Sequence, residues 1–309
     1  MERKLIKQGI GGYTIYLPKK WIDKKGLTEK DVVEIKEFDQ DLVIRSQKNQ
    51  KTKAFIDVKD STEVDIKNLI THSYRLGHDQ ISIKNISDKK LEFVKKLLQD
   101  FILGFEITDI KEGSCLIENI SEPSGDKYDV LLRRIFLINK QMYELILKDV
   151  SENKYSGTDE IEELRKQQDK LVLLCKRLLI KSRLEKDPIL DWELLTFIMH
   201  IGHNLYYLYL EANKKKLKLK QETKQLLEKC EEYYILFYDS FYKQDIKKIE
   251  SLNGLRIKYQ QDLVEKVFKK EVSENYLFVS LIRENLRLVQ ISSSPVLSQL
   301  LSLKEIHNL

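Results

Sequence analysis

Apolar and polar positions follow two different rhythms along this chain, and the change of rhythm divides it. Residues 1–48 carry four strand-length runs: Leu5-Ile6, Tyr13-Thr14-Ile15-Tyr16-Leu17, Val32-Val33-Glu34-Ile35 and Leu42-Val43-Ile44. Gly11-Gly12, Gly26 and Asp39-Gln40-Asp41 punctuate them, as turns punctuate short strands. The polar stretch 48–53 reads as a linker. Over 53–121 strands and helices alternate: a strand at 54–58, a helix at 62–75, a strand at 81–83, a helix at 89–103, then strands at 106–110 and 114–120. Ser61/Thr62 followed by Asp65 is a helix-start signal, and Gly77 and Gly104 are expected stops. This order predicts a small α/β sandwich.

Beyond SEPSGDK (121–127) the rhythm is helical throughout. Ile161, Leu164, Gln168, Leu171, Cys175 and Leu178 recur at three- and four-residue steps, and Leu194, Ile198, Ile201, Leu205 and Leu208 repeat the pattern. That is the spacing of a bundle seam. Breaks are expected at Asp187-Pro188 and at Ser293-Ser294-Pro295, with about six helices ending near Ile291. RKQQDKLV and IKYQQDLV are similar strings lying about one three-helix unit apart, which predicts tandem three-helix bundles. The expected fold is therefore multidomain α+β: a β domain over 1–48, a small α/β domain over 53–121, helical repeats over 127–213 and 217–295, and a C-terminal tail over 296–309.

Composition narrows the function classes. Charged residues make up 33% of the chain and Gly and Pro number only 11 and 4, which favours long solvated helices. The formal net charge of +5 (Lys+Arg 54, Asp+Glu 49) is too balanced for a general coat on nucleic acid, so any such surface must be local. Cys115, Cys175 and Cys230 are widely spaced and outside any CxxC pattern, as expected of reduced, buried thiols. No apolar run approaches the roughly 18 residues of a membrane span and no secretory core opens the chain, so a cytoplasmic protein is expected. There is no GxSxG, no Walker loop and no GxGxxG after a strand. Gly9-Ile10-Gly11-Gly12 leads into a strand and offers no helix N-terminus for a phosphate. No carboxylate pair stands out for acid/base work, and an enzyme is not expected.

A strand, a Pro-Lys-Lys corner, a short helix and two more strands are too small to bury a core alone, so the opening segment is expected to dimerise. TIYLPKKWIDKKGLTEKDVVEI, within about residues 4–46, resembles the AbrB/SpoVT-type swapped-hairpin domain. Pro18, Gly26-Leu27 and Asp31 to Ile35 match its pattern of apolar strand, Pro, basic short helix, Gly-Leu and Asp-x-Val-x-Ile. The resemblance implies DNA binding as a dimer, with Lys4, Lys7, Lys19, Lys20, Lys24 and Lys25 as the phosphate-contacting residues. Tyr13-Thr14 stands where that family often has Gly-Arg, so one such contact is absent. The alternative is a dimer clasp whose lysines are only solvated.

The whole order of segments resembles the archaeal PhoU-like regulators. ITHSYRLGHDQISIK, FVKKLLQDFILGFEI and LLRRIFLINKQMYE (131–144) are similar to elements of that family. The resemblance implies a cytoplasmic regulator of phosphate uptake or phosphate-responsive transcription with no catalytic step. It leaves open an adaptor that contacts a phosphate transporter or sensor protein without touching DNA, and a metal-storing bundle. PhoU bundles carry Glu/Asp-x-x-x-Asp pairs that can hold iron or zinc; an i, i+4 spacing places both carboxylates on one helix face. Here the pairs are Arg165 with Asp169, Met199 with His203, Lys258 with Asp262, and Ser280 with Glu284. Residues left to hold a metal are Asp169, His203, Asp262 and Glu284, but a basic neighbour turns two of the pairs into expected ion pairs, Arg165–Asp169 and Lys258–Asp262. His200-x-x-His203 lacks the Glu of HExxH, and His72 and His78 stand alone.

Overall fold

A computed structural model describes residues 2–38, 41–46, 51–121, 124–182 and 187–307. The expected turn at Asp39-Gln40, the start of the linker at 48–50, Glu122-Pro123 and the last two residues of the tail lie outside them. The protein is mixed α+β, with small sheets followed by a long helical region, and it divides into two compact units, Met1–Thr52 and Lys53–Leu309.

The first unit consists of two hairpins and a short helix. Strands β1 (Ile6–Gln8) and β2 (Gly12–Thr14) pair antiparallel, as do β3 (Val33–Phe38) and β4 (Asp41–Ser46). Between them α1 (Lys19–Lys25) starts after Pro18 and ends at Gly26, whose φ of 60° supplies the left-handed C-cap. The strand expected over 13–17 pairs only as far as Thr14, because β1 offers just three residues to pair with. The described chain around the helix is pinned by Asp31, which accepts from the Thr28 backbone N–H at 2.7 Å and its hydroxyl at 2.9 Å.

The second unit begins with an α/β layer: β5 (Lys53–Asp57), α2 (Glu63–Arg75), β6 (Gln80–Lys84), α3 (Asp88–Phe101), β7 (Phe105–Lys111) and β8 (Ser114–Asn119). The sheet order is β5-β6-β8-β7, with β5 and β6 parallel and the other pairs antiparallel. Alternation decides which sheet face is covered: Ile56, Ile81, Ile83, Cys115 and Ile117 are buried, while Phe55 is exposed. Helix α2 starts at the expected place, with a reciprocal capping box between Thr62 and Asp65. It buries Ile66, Ile70 and Tyr74, one residue per turn. Gly104 holds φ of 76°, and a Cβ there would lie 1.7 Å from the Ser121 carbonyl oxygen, so this turn into β7 requires glycine.

The helical region comprises α4 (Tyr128–Glu152), α5 (Thr158–Ser182), α6 (Pro188–Lys215), α7 (Gln221–Tyr242), α8 (Ile246–Gly254), α9 (Val264–Lys270) and α10 (Tyr276–His307). Helices α4, α5 and α6 pack on one another; α7, α8 and α10 do likewise, and α6–α10 and α4–α7 contacts join the two groups. Helices α2 and α3 lie against α5, which ties the α/β layer to the bundle. The seam residues of α6 are all fully buried, as are Ile161, Gln168, Cys175 and Leu178 of α5. Asp187 caps α6 by accepting from the Ile189 N–H at 2.8 Å, with Pro188 in the first turn.

Two expectations are overturned. The Ser293-Ser294-Pro295 break does not occur: α10 continues through Pro295 to His307. A helix-interior proline costs about 3 kcal/mol, but Val296 and Leu300 beyond it are buried, each worth about 1.5–3 kcal/mol. The Ser292 hydroxyl also donates to the Leu288 carbonyl at 2.7 Å, and Gln299 donates to Asp191 at 2.8 Å. The middle of the second helical group is not one helix. It is α8, a π turn over Lys258–Leu263, and α9, so the described residues hold seven α-helices after 127 where about six were expected.

Candidate functional site

Helices α5 and α6 run antiparallel and present a ladder of polar side chains to each other. Glu162, Arg165, Asp169 and Lys176 recur on one face of α5, and Trp192, Thr196, His203 and Tyr206 face them from α6. At one end Arg165 is the hub. Its Nη1 donates to Asp169 Oδ2 at 2.9 Å and its Nη2 to Glu162 Oε1 at 3.0 Å. Its guanidinium lies 5.0 Å from the centroid of the Tyr206 ring. Tyr206 in turn donates its hydroxyl to Glu162, and His203 Nε2 lies 2.6 Å from Asp169 Oδ1. The Tyr206 hydroxyl and then Arg165 hold the Glu162 carboxyl below its usual range. Burial alone would lower Arg165, yet Glu162 and Asp169 together raise it.

This donor set does not fit a metal ion. Both oxygens of Asp169 and both oxygens of Glu162 already face Arg165, His203 or Tyr206, and the guanidinium occupies the place where the cation would sit. The four candidate ligands are not brought together: Asp169 and His203 meet, but Glu284 receives Arg287 at 2.7 and 2.9 Å and Asp262 is exposed. Among the described residues no group of three or more His, Cys, Asp or Glu is arranged for a metal.

The expected Arg165–Asp169 pair forms at 2.9 Å, but the expected Lys258–Asp262 pair does not form among the described residues. Its i, i+4 spacing assumed an α-helix. The π turn that begins at Lys258 replaces that ladder with i, i+5 hydrogen bonds. Both side chains are exposed.

At the other end of the ladder the charge is all positive. Lys176 is buried and donates to the Thr196 hydroxyl at 2.7 Å, and its Nζ lies 4.9 Å from the Trp192 ring centroid. Arg75, from α2, lies 5.7 Å from the same ring. The next residue of α5, Arg177, fastens the α/β layer, donating to the Tyr74 carbonyl at 2.9 Å, the His78 carbonyl at 2.7 Å and Asp79 Oδ1 at 3.3 Å. Sequence reasoning missed Glu162, Tyr206, Lys176 and Trp192. The three- and four-residue spacing along α5 was a usable signal for Glu162 and Lys176, but only the packing of α6 and α2 supplies their partners.

In the first unit, Lys4, Lys7, Lys19, Lys20 and Lys24 are exposed and Lys25 is half-buried, and none forms an ion pair among the described residues. Lys20 and Lys24 share a face of α1, whereas Lys19 lies about a quarter-turn away. Lys7 stands opposite Tyr13 in the first hairpin. The first turn of α1 holds no acidic residue and the last holds Lys24 and Lys25, so Asp23 is the one acid among four lysines.

The remaining features carry less chemistry. A groove of about 480 Å³ between α4 and α5 is lined by Arg134, Lys148, Glu144, Glu160 and Glu163, and lies on the opposite side of α5 from the ladder. The three thiols are buried and free; burial raises Cys115 to about 11 and Cys230 to about 12, so neither is a nucleophile near neutral pH. Among the described residues no helix is long and apolar enough to cross a membrane. Comparison with protein families, curated proteins and solved structures found no match to this chain.

Proposed function

We propose that this chain is a PhoU-like, non-catalytic regulator of phosphate uptake or phosphate-responsive transcription, acting in the cytoplasm. Its first unit forms a swapped-hairpin dimer that sits on DNA. The observation that carries the reading is the unfinished core of that unit. Leu27 is its one buried large apolar residue among the described side chains, while Leu5, Ile10, Tyr16 and Leu42 are exposed by 66% or more. Burying such residues is worth about 1.5–3 kcal/mol each, so a second copy that closed both hairpins would supply the missing core. In the same unit, Lys19, Lys20 and Lys24 present charge with no carboxylate partner among the described residues, as phosphate contacts require. The helical region would then report a bound state to the DNA-binding dimer.

The test is fluorescence anisotropy of the full chain on a duplex from its own promoter and on mixed-sequence duplex, at two salt concentrations. Phosphate contacts predict a slope of log affinity on log salt of about −0.9 per neutralised phosphate. Lys19→Ala/Lys20→Ala should weaken binding and flatten that slope. Absence of binding at low salt, in a protein that sedimentation shows to be dimeric, would reduce the first unit to a clasp and favour the adaptor.

A further inference from the structure

We propose that Arg75, Lys176, Trp192 and the flanking His72 form a binding site for a small phosphate-type oxyanion, where α2 meets α5 and α6. The site lies wholly in the second unit and does not depend on the DNA reading.

Lys176 is 3% exposed, and its one hydrogen-bond partner among the described residues is the neutral Thr196 hydroxyl at 2.7 Å. That hydroxyl is itself committed, donating to the Trp192 carbonyl at 2.8 Å. Two of the three ammonium hydrogens therefore have no acceptor among the described residues, in a place where burial makes an unpaired charge costly. The other deeply buried cation of α5 is served differently: Arg177 has Asp79, and the partly buried Arg165 has two carboxylates. Lys176 has the Trp192 ring instead, and shares it with a second cation, Arg75.

Arg75 is also without a carboxylate among the described residues. Its Nη2 lies 2.8 Å from His72 Nδ1 and 2.9 Å from Nε2. A guanidinium can only donate, so His72 receives it as a neutral ring. Burial, then Arg75 and Lys176, hold His72 below its ordinary range, and burial followed by Arg75 brings Lys176 down to about 8. Burial thus disfavours all three as cations, the positive neighbours add to it at His72 and Lys176, and no anion within the described residues relieves them. An oxyanion would. Arg75 is half-buried and His72 exposed, so the fork and the imidazole can be reached from solvent, while the buried Lys176 lies on the same indole as Arg75. Charge density favours a compact, multiply charged oxyanion over a monocarboxylate, because two cations share the Trp192 ring and a protonatable imidazole lies against one of them.

Trp192 makes the test local, since Trp21 is the chain's only other tryptophan. In the full-length Trp21→Phe protein, Trp192 emission is followed while inorganic phosphate is added against chloride of equal ionic strength. The expected result is a saturable change in emission through the millimolar range, with a matching rise in melting temperature. Arg75→Ala should weaken the apparent affinity at least tenfold while keeping the circular-dichroism spectrum; Arg75→Gln replaces it should the alanine variant not fold. Sulfate that competes with phosphate would mark a general oxyanion site, as the proposal requires. A linear, non-saturating response, or the same saturation curve in the Arg75 variants, would overturn it.

Discussion

Arg177 and Tyr74 are joined twice: the guanidinium donates to the Tyr74 carbonyl at 2.9 Å and lies 5.1 Å from the centroid of its ring. One side chain of α5 thereby closes the C-terminal end of α2 and, through Asp79, the entry to β6. Arg177 is 1% exposed. Arg177→Ala should cost about 3 kcal/mol, as breaking a buried charge network does. Arg177→Lys should recover only part of that, because an ammonium lacks the planar fork that serves several acceptors at once. Urea unfolding measures both; a loss under about 1 kcal/mol for the alanine variant would show that burial of α2 against α5 holds the layer without it.

Arg165 occupies the cation position between Glu162, Asp169 and His203. Removing it should turn a filled site into an empty one with two carboxylates and an imidazole. Arg165→Ala is expected to take up zinc in competition with a chromogenic chelator, where the parent protein does not. Equal zinc uptake by the two proteins would mean that the guanidinium does not block the ligands.

Gly202 lets α6 approach the buried amides of Gln168 and Asn139, which are themselves joined at 2.6 Å. A Cβ at 202 would lie 1.9 Å from Gln168 Oε1 and 2.6 Å from Asn139 Oδ1. Alanine gains about 1 kcal/mol of helix propensity over glycine, but the overlap should cost about 1–3 kcal/mol or more. Gly202→Ala is therefore expected to lower the melting temperature. Gln168→Ala should soften that loss in the double variant, and strict additivity would count against direct contact.

Lys176 titrates at about 8 in the folded protein against 10.5 for an ordinary lysine. Between those values the unfolded chain binds the proton and the folded chain has released it, so this group's contribution to stability rises with pH. The stability difference between the parent protein and Lys176→Met should therefore shift in favour of the parent from about pH 8 towards pH 10. Taking the difference removes the opposite effect of buried tyrosines such as Tyr155, which burial raises to about 12 and which lose stability as unfolded tyrosines ionise. A flat difference would place Lys176 in a wetter setting than its burial implies.

Local chemistry was legible wherever a few neighbouring residues decide the outcome. Thr62 and Asp65 cap α2 by reaching each other across one turn, Pro188 opens α6, and Gly26 closes α1. The periodic apolar positions of α5 and α6 likewise became the seam, since periodicity alone selects a buried face. The Arg165–Asp169 pair could be read from its spacing. The Lys258–Asp262 pair could not, because that reading presumed a helical geometry that the π turn replaces.

What the sequence by itself determined is thus the order of strands and helices, most of their ends and the faces they bury. All of these rest on interactions within about one turn. Tertiary structure decided the rest. Pro295 stays inside α10 because Val296 and Leu300 are buried against the bundle beyond it. Arg165 gains Tyr206, Asp169 gains His203, and Lys176 gains Trp192 and Arg75 only once α6 and α2 are packed. Partners so far apart along the chain leave no mark on local pattern; their meeting is fixed by which apolar faces bury each other, and the polar chemistry follows from that packing.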